Sequence, residues 1–284
     1  RKIRYDNGQD YAYTRKLDDR ALSRESELAI HIISPLSDNF ENLQMQGMQS
    51  MGKDELRVVL PADSRFMQDL SMYKRTEKYI RQNSSTPQEN IKRILDAKAL
   101  QNNERLAELQ ERAKHLLGQA AMIINASPVQ ASATDGQTRI IKGFSQLIAT
   151  TYPNLRMLRD TPFTEADIGG YLRKATDDGL LGSDANRMTE AEQEILSFIQ
   201  SNARGGVRTT VKALLERFER KSYGWYYAAI LCNLALLCGR GKLEVRQDSN
   251  VLEGSELERS LTNTSAHNSM LLTPQVEYTA SQVR

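Results

Sequence analysis

The run Gly47-Met-Gln-Ser-Met-Gly52-Lys53-Asp54 comes closest to a known reaction chemistry. In a phosphate-binding loop, Gly-x-x-x-x-Gly-Lys-Ser/Thr, glycines open the backbone N–H groups toward the phosphates. The lysine neutralises charge and the final hydroxyl holds Mg²⁺. Here the last position is Asp54, whose carboxylate would repel a phosphate. The context is also reversed. Such a loop leads from a strand into a helix, so that a helix N-terminus faces the anion, whereas this run leads into the apolar segment Leu56–Leu60. No nucleotide site is assigned to it.

Other candidate chemistry has simpler explanations. Asp63, after Val58-Val-Leu60-Pro61, has the position of a metal-binding strand end, but also that of a helix cap. The pairs Asp18-Asp19 and Asp177-Asp178 stand beside turn-forming residues, and turn chemistry accounts for them. The chain has three histidines, His31, His115 and His267, none with a Cys or His at ligand spacing, so no zinc site is expected. Its two cysteines, Cys232 and Cys238, lie six residues apart in one apolar run. That separation on a helix exceeds disulfide reach, and a reducing compartment is the default. No Gly-x-Ser-x-Gly elbow and no Cys/His nucleophile pair is present. The expectation is a chain with no catalytic, cofactor or metal residues of its own.

The remaining chemistry is charge. Residues 203–246 carry nine cations, Arg204, Arg208, Lys212, Arg217, Arg220, Lys221, Arg240, Lys242 and Arg246, against Glu216, Glu219 and Glu244, a net of +6. The whole 284-residue chain carries only +2, and residues 247–284 carry −3. A basic stretch beside an acidic tail suits contacts with nucleic-acid phosphates. It also suits a solvated helix face, since Lys212–Glu216 and Glu216–Arg220 stand at i,i+4 spacing.

The elements that would position these groups follow from periodicity. Hydrophobic residues are 39% of the chain and mean hydropathy is −0.55, which excludes collagen-like and wholly disordered chains. The longest apolar run, Trp225–Cys238, is 14 residues; a membrane span needs about 20, so a buried helix is expected, and with it a soluble cytoplasmic protein. The chain starts Arg1-Lys-Ile-Arg-Tyr5 with neither initiator Met nor signal-peptide apolar region, as an internal fragment would.

Residues 1–73 read as a small α/β region. Leu28–Ile33 and Leu56–Leu60 are strands, Gln44–Gly52 is a loop or frayed helix, and Asp63 or Ser64 caps a helix through Phe66, Met67, Leu70 and Tyr73. Residues 74–126 are helical, as one long helix or a hairpin. A capping box is expected at Thr86-Pro87-Gln88-Glu89 and a break at Gln101–Glu104. Residues 127–139 are a small, polar linker. Residues 140–284 are α-rich with a polar tail, Thr164 and Thr189 starting helices. Within them 189–246 gives three short helices and a strand, the order of a winged helix-turn-helix, with Met270–Leu272 as a further wing strand. The fold class is therefore mainly α with a small α/β portion. The helix in the recognition position, Trp225–Cys238, is almost wholly apolar and is needed as core, so any DNA contact is expected through backbone phosphates.

The segment Lys221-Ser-Tyr-Gly-Trp-Tyr-Tyr-Ala-Ala-Ile-Leu-Cys-Asn-Leu-Ala-Leu-Leu-Cys-Gly-Arg-Gly-Lys-Leu-Glu-Val245 resembles the Tyr-Gly-Trp, apolar helix, Gly-x-Leu-x-Val element of the large P-loop ATPases of bacteriophage-exclusion (BREX) systems, the BrxC/PglY family. Leu56–Phe66, Tyr73–Tyr79 and Phe163–Ile168 are similar to the same family. The resemblance implies a middle piece of a longer, cytoplasmic, AAA-like antiphage ATPase whose nucleotide loop lies upstream. ATP and Mg²⁺ would belong to the parent, which could itself be a homo-oligomer. This segment would act as a relay or docking module toward a methyltransferase, a phosphatase-like subunit and DNA, with no membrane partner.

Overall fold

The computed structural model describes residues 2–85, 88–133, 135–159, 161–180 and 188–275. The chain divides into two compact units, Arg1–Tyr5 with Asp10–Thr150 and Asp6–Gln9 with Thr151–Arg284. The architecture is mainly α with two small sheets.

In the first unit a sheet runs in the order β1 (Lys2–Arg4), β2 (Asp10–Leu17), β4 (Leu28–Ile33), β5 (Glu55–Val59), β6 (Ala121–Ile124), β7 (Ser127–Pro128), with β3 (Arg20–Ala21) on β2. β2, β4 and β5 are parallel neighbours and the other pairs are antiparallel. All five residues of β5 are buried, as expected of a central parallel strand covered on both faces. On one face lies helix α4 (Gly136–Thr151), whose Phe144, Leu147 and Ile148 are buried. A Cβ at Gly143 would stand 3.1 Å from the Leu56 side chain, so glycine lets α4 approach β5 closely. On the other face lies α1 (Leu43–Ser50).

Helices α2 (Ser64–Asn83) and α3 (Glu89–Gln119) form an antiparallel hairpin. The buried residues of α3 are Leu95, Asn102, Leu109 and Leu116, seven apart, which is the spacing of a coiled-coil seam. Asp63 caps α2 by accepting from Phe66 N at 2.9 Å, and its carboxylate takes Arg112 of α3 at 2.6 and 3.0 Å. The helices do pair as a hairpin, but its turn falls between Asn83 and Glu89 and not at Gln101–Glu104; from Glu89 onward the chain is one long helix. α3 runs unbroken through Gln101–Glu104, because Asn102 is buried and donates to Tyr73 O at 3.2 Å. Thr86 and Pro87 of the expected capping box lie outside the described residues; Gln88 holds the N-cap position of α3 and makes no side-chain cap bond. Residues 121–124 form β6 and not helix.

The segment 127–139 is not a linker between the units. Asn125 and Ala126, both at positive φ, turn the chain into β7, and α4 starts at Gly136. The small polar residues there serve a β-turn and a helix start, and the contact boundary falls later, at Thr150–Thr151.

The second unit opens with 3₁₀ turns at Pro153–Leu158 and Glu165–Asp167, the latter running into α5 (Ile168–Leu180). Then follow α6 (Glu190–Arg204), β8 (Thr209–Thr210), α7 (Val211–Phe218), α8 (Tyr227–Gly239), β9 (Leu243–Gln247), β10 (Asn250–Val251), α9 (Gly254–Thr262) and β11 (Leu271–Pro274). The capping boxes at Thr164/Asp167 and Thr189/Glu192 are both present. The sheet order β10-β9-β11-β8 is antiparallel throughout. Helix–strand–helix–helix–strand–strand is the winged-helix arrangement. α9 was not expected in the polar tail; it sits inside the wing, with Leu257 and Leu261 buried.

Candidate nucleic-acid interface

The geometry around α8 decides which surface of the second unit is available. Its residues Ala228 to Ala235 are buried without a break, and Leu237 is buried beyond the half-buried Leu236. α5 packs along it, and a Cβ at Gly239 would come within 2.5 Å of Leu172 O. The helix in the recognition position is thus covered from outside as well as from within.

The motif before α8 anchors it. Gly224 has φ +60, and a Cβ there would collide with the Tyr152 ring. Trp225 is buried against Phe218, with ring centroids 4.8 Å apart, and its Nε1 donates to Asn154 O at 2.9 Å. Lys221–Val245 is therefore conspicuous in sequence because it builds the core.

The nine cations divide into two sets. Arg240 is taken: its Nε lies 3.1 Å from Glu192 Oε1, a carboxylate with no exposure that also caps α6 through Thr189 N. Sequence reasoning grouped Arg240 with the phosphate contacts, because a pair between the start of α6 and the end of α8 exists only in the fold. Arg246 pairs with Glu244 within β9, and Lys242 is half-buried. Arg204, Arg208, Lys212, Arg217, Arg220 and Lys221 are exposed and follow one another along the end of α6, the Gly205-Gly206 turn, α7 and the loop after it. Arg217 lies over the Phe198 and Tyr223 rings at 6.0 and 5.2 Å, which holds its guanidinium at the surface. Exposed, clustered cations of this kind have the chemistry of backbone-phosphate contacts.

The first unit holds a second polar constellation, which sequence reasoning missed. Register aligns Lys16, His31 and Arg57 across β2, β4 and β5. Glu55, two residues before Arg57 on the same face, meets all three. Its carboxylate is 2.9 Å from Arg57 Nη2, 3.3 Å from His31 Nδ1 and 3.2 Å from Lys16 Nζ. Burial alone would raise the Glu55 pKa; hydrogen bonds and charge from His31, with Lys16 and Arg57, outweigh it and hold the group at about 2. His31 Nε2 faces Asp18 O at 2.5 Å, and the Asp18 carboxylate takes Ser34 N and Oγ at 2.7 and 2.8 Å. Arg57 Nη1 donates to Gln46 O, Gln46 Oε1 and Gln49 Oε1 of α1 at 2.9–3.2 Å. These groups satisfy one another and tie α1 to the sheet. The sequence signal was the charged pair Glu55-x-Arg57 opening an otherwise apolar strand.

The remaining candidates are placed as follows. Met51, Gly52 and Lys53 N–H groups donate to Met48 O, Asn125 Oδ1 and Ser50 O, and Gly47 lies in α1 with its Cβ direction toward Ala126. These residues do not form a phosphate cradle. The side chains of Asp177 and Asp178 lie outside the described residues; their backbone is in α5. Cys232 and Cys238 are free thiols, each pushed up to about 12 by burial. Among the described residues no group of His, Cys, Asp and Glu could hold a metal ion, and no helix is long and apolar enough to cross a membrane.

Two family models match the chain. One, described as the BREX ATP-binding protein BrxC 4th domain with six-stranded beta sheet, matches residues 1–147, just over half of the chain. The other, the BREX ATP-binding protein BrxC winged helix-turn-helix domain, matches residues 158–275. The first agrees with the six-strand path from β1 to β7, and the second with the order α6 to β11. No solved structure matches.

Proposed function

The chain belongs to the BrxC family of BREX ATP-binding proteins, a phage-defence family, and from that premise we propose that it is a non-catalytic interaction and relay segment of a longer defence ATPase. The observation that carries this reading is the way its polar groups are used. Glu55, Arg57 and His31 close on one another, Glu192 closes on Arg240, and the Gly47–Lys53 run has its N–H groups engaged in and around α1. What remains for function is surface. The Gly47–Lys53 run does not fit the phosphates of ATP, and in this reading nucleotide chemistry belongs to the rest of the polypeptide.

The partners that suit this role are the other defence components, a methyltransferase and a phosphatase-like subunit. Overproducing the 284-residue chain in a strain carrying the complete system tests the reading. A docking module competes with the intact protein, so phage plating efficiency rises. Unchanged plating at chain levels well above the intact protein would overturn it.

A second reading is favoured by the exposed set Arg204, Arg208, Lys212, Arg217, Arg220 and Lys221. In it the winged-helix unit holds duplex DNA through backbone phosphates from α6 and α7, without reading sequence. Affinity for duplex DNA across a salt series tests this, since each phosphate contact contributes about −0.9 to the slope of log K against log salt. No binding at low ionic strength would end it.

A further inference from the structure

Helix α1 faces the opposite way from an ordinary surface helix. Its inner face is Gln46, Gly47 and Ser50, all buried. Arg57 holds Gln46, and Ser50 Oγ accepts from Ala126 N at 2.9 Å and donates to Gly47 O at 2.7 Å. Its outer face carries three methionines at three-residue spacing, Met45 38% exposed, Met48 65% and Met51 at the C-cap 62%, with the exposed, uncharged Gln44 and Gln49 beside them. Leu43 and Leu36, just before them, are 49% and 73% exposed. A surface helix normally gains stability by burying its apolar stripe. This one is held by hydrogen bonds, and Met48 and Met51 leave most of their apolar surface uncovered.

The chemistry of the face selects its occupant. From Leu43 to Gly52 there is no charged residue, so a charged partner surface would be desolvated with nothing to pair with. The fitting surface is apolar, and methionine adapts readily to the shape of such a surface. Size narrows it further. A helix of eight residues is about 12 Å long, well short of the roughly 800 Å² per side that an independent stable interface buries. A second copy of the chain, joined through this face alone, would not hold. A tethered partner would, because linkage raises its effective concentration.

We propose that the methionine face of α1 is an intramolecular docking surface, covered by an apolar face of another domain of the same BrxC polypeptide. This rests on reading the chain as part of a longer BrxC protein, in which the matched model is numbered the 4th domain.

Methionine oxidation by hydrogen peroxide, read by mass spectrometry, tests it on the 284-residue chain and on the longer BrxC protein that contains it. Buried Met122, 3% exposed, reports that each sample is folded. The expected result is rapid oxidation of Met45, Met48 and Met51 in the chain alone. In the longer protein they oxidise several-fold more slowly, with Met122 slow in both. Met48→Glu in the longer protein should restore fast oxidation of Met45 and Met51. Equal rates in the two proteins would overturn the proposal. So would protection in the chain alone that grows with its concentration, which would assign the face to a second copy. Neither result touches the plating test of the defence role, so the two readings can fail separately.

Discussion

Helices α8 and α1 depart from the usual amphipathic pattern in opposite directions. α8 is apolar except for Asn233 and is enclosed, by its own unit's core within and by α5 without. α1 turns glutamine, glycine and serine inward and methionine outward. The first removes from service the helix that a winged-helix fold would ordinarily present to a DNA groove. The second leaves an apolar surface that the fold itself does not need. Position in a fold family therefore does not say which element works; burial does. In the second unit the available surface is the cationic end of α6 with α7, and in the first it is α1.

If the two helices are anchored as described, breaking the polar anchor under α1 should cost most. Arg57→Ala leaves the buried Glu55 carboxylate only His31 and Lys16 and removes the donors to Gln46 and Gln49. It should destabilise the first unit by about 3–5 kcal/mol, measured by urea unfolding. The same anchor sets an acid limit. Glu55 has a folded pKa of about 2 against an ordinary 4.5, so its contribution is fully present above 4.5. It is lost as pH falls from there toward 2, seen as a loss of sheet circular dichroism that Glu55→Gln removes. In α8, Ile230→Ala opens a cavity at a site with no exposure and should cost about 2–5 kcal/mol. A smaller loss from Arg57→Ala than from Ile230→Ala would show that the polar anchor is not the stronger of the two.

Asp63→Ala removes the α2 cap and the Arg112 partner together, and about 1 kcal/mol is expected. Met48→Gln should change the stability of the isolated chain by no more than about 0.5 kcal/mol. A larger loss would mean that the outer face of α1 supports the unit after all.

Those contrasts also explain what the sequence made legible. Leu28–Ile33 and Leu56–Leu60 showed as strands because central parallel strands are apolar runs. The caps at Asp63, Thr164 and Thr189 showed because their partner lies three residues away in the chain. α8 showed because it is almost wholly apolar. α1 read only as a loop or a frayed helix because its apolar residues follow the outside of the helix, where periodicity arguments expect polar ones. The coiled-coil seam read as a break because Asn102, a polar residue at a seam position, interrupts the leucines. Of the site, the exposed cations from Arg204 to Lys221 were legible as a charge run. The closure of Arg240 on Glu192 was not, nor was that of Lys16 and His31 on Glu55, because each joins groups from separate elements.

The central claim is that this chain works by holding other defence components. Its most direct measurement is co-purification of the tagged 284-residue chain from a strain carrying the complete system, at physiological salt, with the intact protein tagged in parallel. The account predicts that the chain recovers at least one component that the intact protein recovers. Recovery of none by the chain, while the intact protein recovers them, would contradict it.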